Sequence, residues 1–97
     1  MEHKKIAFIG AGNMAKAIVS GLVKNGYPTE LIQATAPSMT RRLPLEKDYG
    51  ITTSDNNVES VNNADIVVLS VKPQMMQEVC APLKNINWSE KTHMLNG

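Results

Sequence analysis

Ninety-seven residues, 42% of them apolar and 20% charged, suffice for one modest hydrophobic core and exclude both a disordered chain and a two-domain one. A net charge of +1 leaves no surplus of Lys and Arg to neutralise a phosphate backbone, so no nucleic-acid partner is expected. A single cysteine, Cys80, excludes an internal disulfide and a multi-cysteine zinc site, and His3 and His93 stand in no ligand spacing, so no metal is expected.

In chain order, "MEHKK" passes straight into a short apolar run with no signal-peptide cleavage pattern, and a cytoplasmic setting is expected. Ile6 to Ile9 is short enough for a buried strand. From Asn13 a helix is predicted, with Met14, Ala17, Ile18 and Leu22 at spacings of three and four, and "KNG" stops it with Gly26 as its C-cap. "YPTE" reads as a loop and "LIQAT", from Leu31, as a second strand. "APSMTRRLPLEKDYG" predicts a short helix interrupted or restarted at Pro44 and closed by Gly50. "ITT" at Ile51 is a brief third strand, and Asn56 with Glu59 forms a capping box for a small helix ending near Asn63. "DIVVLSV", Asp65 to Val71, is the strongest strand; it is apolar on both faces and far too short to cross a bilayer, so no membrane partner is expected. Pro73 suits the first turn of the next helix, which carries Met75, Met76, Val79 and Leu83, and a final strand is placed near His93 to Leu95. Strands buried on both faces and alternating with helices predict a doubly wound parallel α/β sheet, with residues 1–97 forming one domain.

Gly10-Ala11-Gly12-Asn13-Met14-Ala15 fits G-x-G-x-x-G/A where the first strand meets the first helix, the context that gives this pattern meaning. Gly10 permits the tight turn, Gly12 lets backbone approach a pyrophosphate, and Ala15 lets the helix pack on the sheet; the helix then turns its free N–H groups toward the phosphates. A carboxylate preferring NAD belongs at the carboxyl end of the second strand. Glu30 precedes that strand, whereas Ala36, Pro37 and Ser38 follow it, with Arg41 and Arg42 behind them. A hydroxyl and a guanidinium suit a 2′-phosphate, so NADP (NADPH) is the expected cofactor; the alternative for both arginines is a solvated helix face. At the end of "DIVVLSV", Ser70, Val71, Lys72 and Pro73 are expected beside the ribose and nicotinamide, with Lys72 either a hydrogen-bond donor there or an exposed residue before a helix. Asn57 either faces the adenosine side or caps its helix. Met75 and Met76 are read as packing residues and Cys80 as a small buried hydrophobe. No residue is assigned a catalytic role.

"FIGAGNMAKAIVSGL", "ATAPS" and "VVLSVKPQ" together resemble the pyrroline-5-carboxylate reductases, from about Lys5 to Lys91. The resemblance implies a Rossmann-like, NADPH-binding domain of an oxidoreductase that reduces 1-pyrroline-5-carboxylate to L-proline in proline biosynthesis. It also implies cofactor contacts at Ile9 to Met14, Ala36 to Ser38, Asn57, and Ser70 to Pro73. In that family a helical C-terminal domain makes the dimer and much of the imine site. No such domain is expected in these 97 residues, and "THMLNG" replaces the family's apolar fifth strand. The chain is therefore expected to be inactive on its own, to meet the imine substrate only with that second domain, and to self-associate as a homo-oligomer. The alternatives are a related NADP-dependent imine or 3-hydroxyacid reductase, and a non-catalytic dinucleotide-binding or self-associating module.

Overall fold

Ile6–Ile9 carries four buried side chains in a row, and a strand buries them all only where both faces of its sheet are covered. The computed structural model describes residues 4–10, 12–71, 73–83 and 92–95, and there this strand, β1, lies at the centre of a sheet. It is followed by α1 (Asn13–Lys24), a 3-10 turn (Thr29–Leu31), β2 (Ile32–Thr35), α2 (Met39–Tyr49), β3 (Thr52–Ser54) and α3 (Asn57–Asn62). Then come β4 (Ile66–Leu69), α4 (Pro73–Cys80), a second 3-10 turn (Ala81–Leu83) and β5 (Thr92–Leu95). The sheet runs β3-β2-β1-β4-β5 and every pairing in it is parallel. This is the doubly wound, Rossmann-like α/β arrangement expected from the alternation of elements.

The pleat sorts β1 between two cores. Ile6 and Phe8 join Ala15, Val19, Ile32, Ala34, Leu45 and Val68 under α1 and α2. Ala7 and Ile9 join Val61, Ala64, Val67, Leu69 and Leu83 under α3 and the second 3-10 turn. The core stripe of α1 is Ala15, Ile18, Val19 and Leu22, rather than one through Met14 and Ala17, which are exposed. The difference follows from Ala15, which is fully buried against the sheet and turns Met14 outward. At its far end Gly26, at φ +86°, donates to Val23 O, and Tyr27 N donates to Leu22 O, the paired bonds of a Schellman stop.

Helix α2 is not broken at Pro44; it runs through it. Ser38 caps its start by accepting from Arg41 N at 3.4 Å, Gly50 closes it in the left-handed region, and fully buried Leu45 anchors the middle. Tertiary packing thus carries a residue whose missing N–H costs a helical bond. Strand β4 is shorter than the apolar run suggests. Beyond its ends Asp65 N still bonds Lys5 O at 2.9 Å and Ser70 N bonds Ile9 O at 2.8 Å, so contact with the β1 segment runs one residue past the strand on each side. Leu83 is buried from the 3-10 turn rather than from α4, and Cys80 is half-buried beside the second core rather than enclosed by it. No helix among the described residues is long and apolar enough to cross a membrane.

Candidate functional site

Parallel register aligns the carboxyl ends of the strands. Ile9 pairs with Thr35 and with Leu69, and Thr35 pairs with Ser54. The next residues continue the ladder by one step: Gly10 N donates to Thr35 O at 3.0 Å and Ala36 N to Ser54 O at 3.1 Å. A cavity of about 590 Å³ opens at this edge. Its floor is Ile9, Gly10, Gly12, Ser70 and Val71; one wall is Thr35, Ala36, Pro37 and Arg41; the others are Asp55 and Asn57, and Gln74, Met75, Glu78, Val79 and Pro82. The order in which strands are added reverses at β1, with β2 and β3 laid on one side of it and β4 and β5 on the other, and a crevice at such a switch point is where open α/β sheets take ligands.

The two glycines of the turn have different physical reasons. Gly10 sits at φ +105°, and a Cβ there would lie 2.7 Å from Ser70 O and 2.9 Å from Val71 Cγ1, so the fold itself requires glycine. Gly12 adopts an ordinary extended conformation (φ −83°, ψ −174°), and a Cβ there would meet only Ser70 O at 3.7 Å. Nothing else among the described residues comes within 4 Å of that position. As the N-cap of α1, Gly12 also forgoes the side-chain cap that Ser, Thr, Asn or Asp supplies, and no acidic residue stands in the first turn. The first intrahelical bond is Lys16 N to Gly12 O at 3.1 Å, leaving the N–H groups of Asn13, Met14 and Ala15 without helical partners. Beside them the Ser70 hydroxyl is buried with no hydrogen-bond partner among the described residues. An open cradle, a positive helix end and an orphaned hydroxyl together fit a phosphate-bearing ligand.

Of the residues singled out in the sequence, Ile9, Gly10, Gly12, Ala36, Pro37, Arg41, Asn57, Ser70 and Val71 converge on the cavity. Ala11 and Lys72 lie outside the described residues, and Pro73 opens α4. The side chains of Asn13 and Met14 are exposed, and that of Ser38 caps α2; none of the three lines the cavity. Arg41 and Arg42 part company: Arg41 reaches the cavity, while Arg42 is half-buried, with Nε enclosed and without a partner among the described residues. Glu30 is exposed in the turn before β2, at the amino edge, as its position implied.

Asn57 is not the cap of α3. That role falls to Asn56, whose Oδ1 accepts from Glu59 N at 3.0 Å. Asn57 instead takes a hydrogen bond on its Oδ1 from the Thr35 hydroxyl. Met75, read from sequence as packing, is 43% exposed and forms part of the α4 wall. Sequence reasoning also missed Thr35, Asp55, Gln74, Glu78, Val79 and Pro82. Asp55 was within reach of it, because the residue after a parallel strand next to β2 must arrive at the same edge as Ala36. The α4 residues were not, since helix phase decides them. Two carboxylates thus face the cavity with Arg41, although the loop after β2 carries none. No group of His, Cys, Asp and Glu suited to a metal occurs among the described residues.

An all-parallel doubly wound sheet whose glycine turn opens on its carboxyl edge defines a Rossmann-like domain. The family model described as "NADP oxidoreductase coenzyme F420-dependent" matches residues 5–93, and the chain belongs to that family. It is 66% identical over 91 residues to the pyrroline-5-carboxylate reductase of Vibrio alginolyticus, an alignment covering 94% of this chain and 34% of that protein. Among solved structures it is similar to a pyrroline-5-carboxylate reductase from Coxiella burnetii (TM-score 0.83, 40% identity, 87% of this chain and 31% of that one). It is also similar to the Plasmodium falciparum pyrroline carboxylate reductase with NADP bound (TM-score 0.80, 26% identity, 98% of this chain and 34% of that one). The chain spans about a third of the length of the curated relatives it matches.

Proposed function

We propose that the chain is the NADPH-binding domain of a cytoplasmic pyrroline-5-carboxylate reductase, an oxidoreductase that converts 1-pyrroline-5-carboxylate to L-proline. The observation that carries the reading is the glycine turn: Gly12 leaves room in front of an uncapped helix end that no side chain of the described residues fills. When bound, NADPH supplies the hydride that reduces the carbon of the C=N bond, and the ring nitrogen takes up a proton. The residues of this chain bind and orient. The first-turn N–H groups of α1, with Gly10, Ala11 and Gly12, take the pyrophosphate; the Ser70 hydroxyl donates beside them, with Val71, Lys72 and Pro73 flanking the nicotinamide half. Ala36, Pro37, Ser38, Arg41 and Asn57 take the adenosine half, Arg41 offering its planar fork to the 2′-phosphate. The imine is held by parts of the enzyme outside these 97 residues, as the shares of the relatives suggest, and homo-oligomeric assembly belongs to the same whole.

Calorimetric titration tests the reading. The chain binds NADPH more tightly than NADH at fixed salt, and G12V loses NADPH binding while its circular dichroism is retained, because the valine fills the space kept for phosphate. NADPH affinity unchanged in G12V, or NADH bound as tightly as NADPH, overturns it.

A further inference from the structure

Thr35 is almost wholly enclosed, with 1% of its surface exposed, at the carboxyl end of β2. Its two polar groups point to different parts of the site. The carbonyl accepts from Gly10 N at 3.0 Å and so holds the glycine turn; the hydroxyl donates to Asn57 Oδ1. One turn further along α3, Ser60 makes the corresponding contact to the same strand, its hydroxyl donating to Gln33 Oε1 at 3.3 Å. A latch between α3 and β2 therefore exists without Thr35. What the Thr35 bond adds is orientation. With Oδ1 of Asn57 occupied by a donor, the carboxamide shows its other end, the two N–H donors of Nδ2, and these have no partner among the described residues. Asn57 and Thr35 both line the cavity.

We propose that Thr35 is a positioning residue. Its hydroxyl fixes the Asn57 carboxamide so that Nδ2 donates to an acceptor on the adenosine half of the ligand, a ribose oxygen or a purine ring nitrogen. This rests on the NADPH reading of the cavity. It assigns a role to a residue that the pleat places on the same face of β2 as Gln33, toward α3. Threonine suits the task because its methyl packs in an enclosed site while its hydroxyl supplies a single directed donor.

The test titrates the full chain and the variants T35V, T35S, N57A, N57D and T35V/N57A with NADPH and with adenosine 2′,5′-bisphosphate, alongside thermal midpoints. T35V and N57A each weaken both ligands by about 3- to 10-fold, the worth of one hydrogen bond. The double variant is no weaker than N57A, because Thr35 acts only through Asn57. T35S restores binding. N57D binds more weakly than N57A, since it keeps the acceptor for Thr35 but turns the ligand-facing donor into a charged acceptor. Wild-type affinity in T35V, additive losses in the double variant, or wild-type affinity in N57D each overturn the proposal. If T35V fails to fold, the N57D and N57A comparison decides. Loss of NADPH binding in G12V with T35V unaffected sinks the positioning role alone, whereas a wild-type chain that does not bind NADPH sinks the functional reading.

Discussion

Gly10 and Gly12 are two residues apart, identical in type, and held by unrelated constraints, so substitution separates them. At Gly10 an alanine meets both a left-handed backbone and the Ser70 carbonyl at 2.7 Å. Strain of the first kind alone costs roughly 1–3 kcal/mol, and the clash falls on backbone that cannot swing away. G10A is therefore expected to lower the urea midpoint markedly, a result read by fluorescence or circular dichroism without any ligand; an unchanged midpoint refutes the turn geometry. Ser38 permits the opposite design. Its hydroxyl serves as the N-cap of α2, and aspartate caps about as well as serine, so S38D keeps the fold while placing a negative charge at the mouth of the β2 loop. The expected outcome is an unchanged thermal midpoint with the NADPH-to-NADH preference shifted toward NADH, because like charges oppose a 2′-phosphate. The same substitution lowering stability and leaving the preference alone would assign Ser38 to the helix only.

The elements were legible wherever local chemistry and packing agree. The strand-turn-helix of β1 and α1, the Asn56 cap and the Gly26 stop each follow from residues a few positions apart, and all three stand in the structure. The errors have a common cause, which is tertiary contact overriding local preference. Pro44 marks a break in any local reading, yet α2 continues, because Leu45 is held in the core and both ends are capped. The apolar stripe of α1 keeps Ile18 and Leu22 but runs through Ala15 and Val19 in place of Met14 and Ala17, because Ala15, the small residue of the turn motif that packs on the sheet, sets the helix phase. On the site, glycines and loop residues were readable, while the α4 wall and the Thr35–Asn57 pair were not, because they depend on which face each helix turns inward. Pro44 yields a prediction at this scale. An interior proline costs a helix about 3 kcal/mol relative to alanine, and removing it returns about 0.4–1 kcal/mol of freedom to the unfolded chain. P44A is expected to raise stability by on the order of 1–2 kcal/mol, measured by urea unfolding, with NADPH affinity unchanged. No gain would mean that the Pro44 ring is itself packed to advantage.

For the molecule as a whole, binding and turnover are separable. The edge of the sheet carries a cradle, an apolar cavity and Arg41, which is what a dinucleotide needs. Reduction of an imine needs in addition that the C=N carbon be held against the nicotinamide, and positioning of that kind supplies on the order of 7–11 kcal/mol in well-oriented reactions. The relatives that carry the reductase name are about three times the length matched here. The 97-residue polypeptide is accordingly expected to bind NADPH while showing no measurable oxidation of it by 1-pyrroline-5-carboxylate. Two surfaces should also make it associate. Among the described residues strand β3 forms one edge of the sheet and β5 the other, and an edge left uncovered pairs with other chains. Met39 and Leu43, 49% and 40% exposed, stand four residues apart on α2 and present an apolar strip. Light scattering across a dilution series should show dimers or larger species that dissociate at low concentration, while the imine assay stays flat throughout. Substantial turnover would mean that imine and nicotinamide are both positioned within these residues, and a strict monomer at high concentration would mean that edge and strip are covered by the chain itself.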